Sequence, residues 1–100
     1  MKTSPEKVRI DKWLWAMRFY KSRALASEAC EKGRISIGGQ QVKPSRSIRV
    51  GDVISIRKGP FALQAEVLQL TEQRQAAKTV AEFCKDVTSP EEKEKIHEPF

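Results

Sequence analysis

One hundred residues with 19 Lys or Arg against 13 Asp or Glu carry a formal charge of +6 and a pI near 9.6. A chain of this length folds as one domain and buries only roughly 60 to 65% of its unfolded surface, which leaves room for one small core and one site. No stretch reaches the ~18 consecutive apolar residues that a spanning helix needs, and Met1 to Arg9 lacks the apolar run of a signal peptide, so a soluble, cytoplasmic protein is expected.

The charge is uneven. Residues 1–60 hold 14 basic and 5 acidic side chains, whereas residues 61–100 hold 5 and 8. A basic segment followed by an acidic one points to a first part that meets a polyanion, either nucleic acid or an anionic membrane surface. Cys30 and Cys84, without a secretion signal, are expected to stay reduced, and together with His97 they show no metal-ligand spacing, so no metal or other cofactor is implied.

Ile10, Trp13, Leu14 and Met17 recur at three and four residues, the stripe of a first amphipathic helix, with Asp11 as its expected N-cap. Trp15 falls about 200 degrees from Trp13 at helical spacing, so it packs on another element or faces a ligand. Ser22 caps a second helix with Leu25, Ala26, Ala29 and Cys30 on its apolar stripe, ended by Gly33. The period then changes to two. Ile35 and Ile37, a Gly38-Gly39 turn and Gln41-Val42 predict a hairpin, and Ile48/Val50, Ile54/Ile56 and Phe61 to Val67 predict further strands around turns at Gly51-Asp52 and Gly59-Pro60. Ala76, Ala77, Val80, Ala81, Phe83 and Cys84 return to helical spacing, and Ser89, Pro90 and Glu92 have the form of a capping box, so the end of the chain is expected to be helical and to cover a sheet edge through Val80, Ala81 and Phe83.

Basic residues concentrate at helix ends and turns: Arg9 and Lys12, then Arg18, Lys21 and Arg23, then Lys32 and Arg34, with Lys43, Ser45 and Arg46 in the loop after the hairpin. Guanidinium and ammonium groups bind phosphate oxygens, and Ser22 with a helix N-terminus adds donors and a favourable dipole. Catalysis finds no support: there is no phosphate loop, hydrolase elbow or acid and base pair, and His97 lies in a charged terminal stretch without a partner to position it.

The segment RIDKWLWAMRFYKSRALASEACEKGRISIGGQQVKPSRSIRVGDVISI, Arg9 to Ile56, resembles the S4-type RNA-binding domain. The resemblance is carried by the Arg-x-Asp-Lys-x-Leu opening, Lys-Ser-Arg at Lys21 to Arg23, Gly-Arg-x-x-x-Gly-Gly from Gly33 to Gly39 and Val-Gly-Asp at Val50 to Asp52. It implies an α+β fold, the αL motif, in which two short helices pack on a small, bent, mostly antiparallel sheet, followed here by a helical tail. The implied organisation is an arm at 1–8, the S4-type domain at 9–70 and a C-terminal helical extension at 71–100. The implied RNA-facing set is Arg9, Lys12, Arg18, Lys21, Ser22, Arg23, Lys32, Arg34 and Lys43. Ile10, Leu14, Leu25, Ala29, Ile35 and Val42 match core positions, and Asp11 matches the family's cap.

Within that family, DKWLWAMRFYKSRALA and TEQR at Thr71 to Arg74 are similar to its small ribosome-associated heat-shock members. This implies a non-enzymatic protein that docks on ribosomal RNA of free large subunits carrying nascent chain-tRNA, and aids recycling or quality control of stalled translation. A monomer is expected, with contact to tRNA left open. Residues 75–100, short and net acidic, depart from the long basic extension of those members, so RNA contacts of that extension do not carry over. The alternatives are an RNA-gripping module for a separate modifying enzyme, a general structured-RNA binder and a module for anionic membrane surfaces.

Overall fold

The computed structural model describes residues 7–91. Strand β1 (Val8–Arg9) runs directly into helix α1 (Ile10–Ala16), and α2 (Arg23–Glu31) follows after a tight reversal. The N-cap of α1 is Arg9 and not Asp11. Its first amides are satisfied by another part of the chain, since Ile10 N–H donates to the Arg46 carbonyl at 2.8 Å and Asp11 N–H to the Pro44 carbonyl at 3.3 Å. That frees the Asp11 side chain for other work. Ser22 does cap α2, accepting from the Leu25 amide at 3.1 Å.

Both helices end in the same chain reversal. After α1, Arg18 takes φ +66°, its N–H reaches the Trp15 carbonyl and the Phe19 N–H reaches Leu14, each at 3.0 Å. After α2, Gly33 takes φ +74°, its N–H reaches Cys30 and the Arg34 N–H reaches Ala29, each at 3.0 Å. The pattern satisfies carbonyls that a helix end otherwise leaves open. Gly33→Ala is expected to lower stability by about 1 to 2 kcal/mol, because an L side chain is forced into the left-handed region. Its Cβ would also stand 2.6 Å from Gln41 Nε2. Thermal unfolding checks this: a melting temperature about 5 to 15 °C lower is expected, and an unchanged one would show that Gln41 and the backbone relax at no cost.

The strands are β2 (Ile35–Ile37), β3 (Gln40–Gln41), β4 (Ser47–Ile48), β5 (Val53–Lys58), β6 (Phe61–Val67) and β7 (Cys84–Asp86). Five form an antiparallel sheet in the order β3-β2-β5-β6-β7, while β1 and β4 pair separately. Gly38 and Gly39, both at positive φ, close the β2–β3 hairpin as a two-residue primed turn. Alternation buries Ile35, Ile54, Ile56, Ala65 and Val67 on one face, where they meet Ile10, Trp13, Leu14 and Met17 of α1 and Ala26, Ala29 and Cys30 of α2. The architecture is the α+β arrangement expected from the sequence.

Three local expectations change. Leu25, expected in the core, is 45% exposed, because α2 turns the small side chains Ala26, Ala29 and Cys30 inward and Leu25 lies about 100 degrees off that line. Val50 lies outside β4 and is 62% exposed. Within the extension, Ala77–Glu82 forms a 3-10 turn and not an α-helix. Cys84 to Asp86, placed on the same helix by apolar spacing, is strand β7, registered Val67↔Cys84 to Ala65↔Asp86 against β6. The sheet edge is therefore covered by a paired strand, where backbone hydrogen bonding outweighs a weak helical period. At the expected capping box, Pro90 and Glu91 are helical, and Glu92 lies outside the described residues.

Candidate nucleic-acid interface

The site is organised by a carboxylate. Asp11 is 3% exposed, and its oxygens accept from Arg9 Nε at 3.1 Å and Arg9 Nη2 at 2.8 Å, with Arg23 Nη2 at 3.6 Å from Oδ1. The short hydrogen bond and the negative charge of Asp11 hold the Arg9 guanidinium above its ordinary pKa. Both arginines keep about half of their side-chain surface in solvent, 51% and 44%. They are anchored from beneath and open above, which suits recognition of an external anion.

Lys21 is exposed two residues before Arg23, and Ser22 keeps its hydroxyl on the Leu25 amide, so the positive dipole end of α2 starts between these two cations in the chain. The loop whose carbonyls cap α1 also carries Lys43, which with Arg9, Ser27, Glu31, Gln41 and Ser45 lines an open cleft of about 650 Å³ between α2 and the hairpin exit. Arg9, Lys21, Ser22, Arg23 and Lys43 are thus set by the two helix starts and this capping loop.

The other expected residues divide differently. Lys12 turns to Glu72 at 3.7 Å, and Arg18 Nη1 donates to the Gln75 carbonyl at 3.3 Å, so both engage the segment after β6. Lys32 pairs with Glu28 one turn back in α2 at 3.4 Å. Arg34 is exposed at the start of β2, and the Arg57 N–H bonds its carbonyl at 2.9 Å. Arg57 is exposed in β5, turned outward by the alternation that buries Ile54 and Ile56. Lys58 is not available in the same way. Its ammonium donates to the Phe19 carbonyl, lies 4.6 Å from the Tyr20 ring centroid, and is held below its ordinary pKa by burial.

Trp13 is fully buried, as its stripe predicts, whereas Trp15 is half-buried with the Arg74 guanidinium 5.4 Å from its ring centroid. The first of the two alternatives for Trp15, packing on another element, is the one observed. Cys30 and Cys84 are free thiols, each pushed up to about 11 mainly by burial, and no cluster that could hold a metal occurs among the described residues. Among those residues no helix is long and apolar enough to cross a membrane.

The family model of the S4 domain matches residues 8–54. Heat shock protein 15 of Escherichia coli is 41% identical over 98 residues, covering 96% of this chain and 74% of the relative. The chain belongs to the S4-domain family, in its heat shock protein 15 branch. A homologue of heat shock protein 15 from Aeromonas salmonicida is 44% identical over 70 residues, which is 70% of this chain but only 53% of that relative's length. The RQC P-site tRNA stabilizing factor of Bacillus subtilis is 38% identical over 73 residues, covering 70% of this chain and 85% of the factor. A trimeric structure of heat shock protein 15 from Vibrio cholerae superposes with a TM-score of 0.79 at 36% identity, covering 90% of this S4-domain chain and 89% of that one. The Arg9–Asp11–Arg23 cluster lies wholly inside the S4 match, whereas Glu72, Arg74 and Gln75 lie beyond it.

Proposed function

We propose that this S4-domain protein binds structured ribosomal RNA of the large subunit without catalysing a reaction, and that its target is the free large subunit carrying nascent chain-tRNA in the quality control of stalled translation. One observation carries the reading: a buried carboxylate fixes two half-exposed arginines at the start of both helices, with Lys21 and Ser22 next to Arg23 in the chain and Lys43 lining a cleft with Arg9. Fixed cations at separate positions match the phosphate spacing of one folded RNA shape, while direct base reading contributes little in a narrow A-form groove. The relatives support the biological setting, since one is named for stabilising P-site tRNA and others for heat shock.

Co-sedimentation with vacant large subunits, large subunits carrying peptidyl-tRNA, small subunits and intact ribosomes tests the proposal. Preference for the occupied large subunit is expected. Equal binding to every particle would reduce the reading to a general RNA binder, and binding to none would overturn it. The chain acts as a monomer in this reading, and light scattering on the free protein checks that against the trimer of the Vibrio relative.

Lys21→Ala and Arg23→Ala are each expected to weaken binding to large-subunit RNA and to flatten the slope of log affinity against log salt by roughly 0.7 to 0.9, the share of one phosphate contact. Both side chains are largely exposed, so melting temperatures should move by only a few degrees. An unchanged salt slope in both variants would remove them from the interface.

A further inference from the structure

The last turn of a helix leaves four carbonyls without partners and carries the negative end of the helix dipole. In α1 these carbonyls belong to Trp13, Leu14, Trp15 and Ala16, and its last turn holds no basic residue of its own. The chain reversal serves Trp13 through the Met17 amide, Leu14 through Phe19 and Trp15 through Arg18. The remaining demand is met from far along the sequence. Gln75 N–H donates to the Ala16 carbonyl at 3.0 Å, and Arg74 Nη1 lies 3.1 Å from the Trp15 carbonyl, 3.2 Å from that of Tyr20 and 3.5 Å from that of Lys21. The same guanidinium covers the Trp15 ring, and Arg18 returns a bond to the Gln75 carbonyl at 3.3 Å.

We infer that Arg74, which lies outside the S4 match, is a positioning residue for the RNA-binding face. It straps the α1–α2 junction into the arrangement in which Lys21, Ser22 and Arg23 present themselves together. A single planar cation joins carbonyls on both sides of the reversal, Trp15 before it and Tyr20 and Lys21 after it, and its place over the Trp15 ring adds a cation–π contact to the same junction. A residue in the left-handed conformation, Arg18, sits inside the strapped loop, and such a conformation persists only where its surroundings determine it. Lysine at position 74 supplies a charge and donors, but no planar guanidinium to lie over the Trp15 ring while one nitrogen reaches the three carbonyls.

This inference rests on the RNA-binding reading, and the experiment separates the two. Arg74→Ala, Arg74→Lys and Arg23→Ala are compared with the unaltered chain for binding to purified large-subunit RNA over a salt series, and for amide hydrogen exchange without RNA. If the strapped junction is about one tenth populated without Arg74, affinity falls about tenfold in both Arg74 variants. The salt slope stays the same, because the complex that forms makes the same phosphate contacts, while Arg23→Ala loses slope. Exchange at Arg18 and Phe19 should quicken in both Arg74 variants while Ile54 and Ile56 keep their protection. Full binding by Arg74→Lys, or a slope loss in Arg74→Ala equal to that of Arg23→Ala, would overturn the inference and make Arg74 an ordinary phosphate contact. Unchanged exchange at Arg18 and Phe19 would overturn it regardless of RNA. If Arg23→Ala binds like the unaltered chain, the proposed face fails, and the exchange result still decides the strap.

Discussion

Asp11→Asn is expected to weaken RNA binding by roughly ten- to thirtyfold, about 1.4 to 2 kcal/mol, although it removes a negative charge from a face that meets a polyanion. Charge counting alone gives the opposite sign. The structure sets the sign because Asp11 is buried and is the shared anchor of Arg9 and Arg23. An amide keeps the shape but replaces one acceptor oxygen with a donor that faces a guanidinium, so both arginines lose their fixed orientation and must be ordered again on binding. Stability should fall by about 2 kcal/mol, in the range for hydrogen bonds to a charged group. Binding titrations at several salt concentrations with thermal melts of the same variant check both numbers. Tighter binding by Asp11→Asn at every salt concentration would show that the carboxylate only opposes RNA.

Trp13→Ala is expected to have the largest effect on the fold, a loss of about 3 to 5 kcal/mol, as for other large aromatic truncations in cores. Trp13 is completely buried between α1 and the sheet side of the core, packs at 6.4 Å on the Phe19 ring, and directs its indole N–H at the Gln69 carbonyl at 3.4 Å. It therefore ties the first helix to the segment leaving β6 and, through Phe19, to the junction that carries Lys21 to Arg23. A domain of this size has only about 5 to 15 kcal/mol in total, so the variant should melt roughly 15 to 30 °C lower and lose RNA binding with its fold. Circular dichroism melts decide it. A drop of only a few degrees would mean that the cavity collapses freely and that Trp13 is not the central packing residue.

Short-range order was legible in the sequence wherever one periodicity dominated. The stripe from Ile10 to Met17, the Ser22 cap, the Gly33 stop, the Gly38-Gly39 turn and the alternation through Ile54 and Ile56 all stand where the pattern placed them. The same local rules misplaced Asp11 and the end of the Ala76 to Cys84 stretch, where Cys84 opens a strand. A cap was the best local use of Asp11, but the Pro44 and Arg46 carbonyls had already taken the α1 amides. A helix was the best local use of Cys84 as a continuation of Val80, Ala81 and Phe83, but after the 3-10 turn at Ala77–Glu82 an open edge of β6 rewarded a strand from Cys84. In both cases a partner seventeen or more residues away removed the local advantage.

The candidate site divides along the same line. Residue type and clustering gathered Arg9, Lys21, Ser22, Arg23 and Lys43 into the candidate set, because phosphate recognition depends on cations and helix ends that are visible in the chain. Nothing in the spacing distinguished them from Lys12, Arg18 and Lys32, which turn to Glu72, Gln75 and Glu28. The TEQR resemblance included Arg74 without giving it a role, and its contacts are to three carbonyls more than fifty residues earlier. By itself, then, the sequence determined the elements, the core faces and the sign of the surface that meets a ligand, since periodicity and charge are properties of neighbouring residues. Only the tertiary structure decided which cations are anchored toward solvent and which are used within the fold, because ion pairing and carbonyl capping depend on distances that the folded chain alone creates.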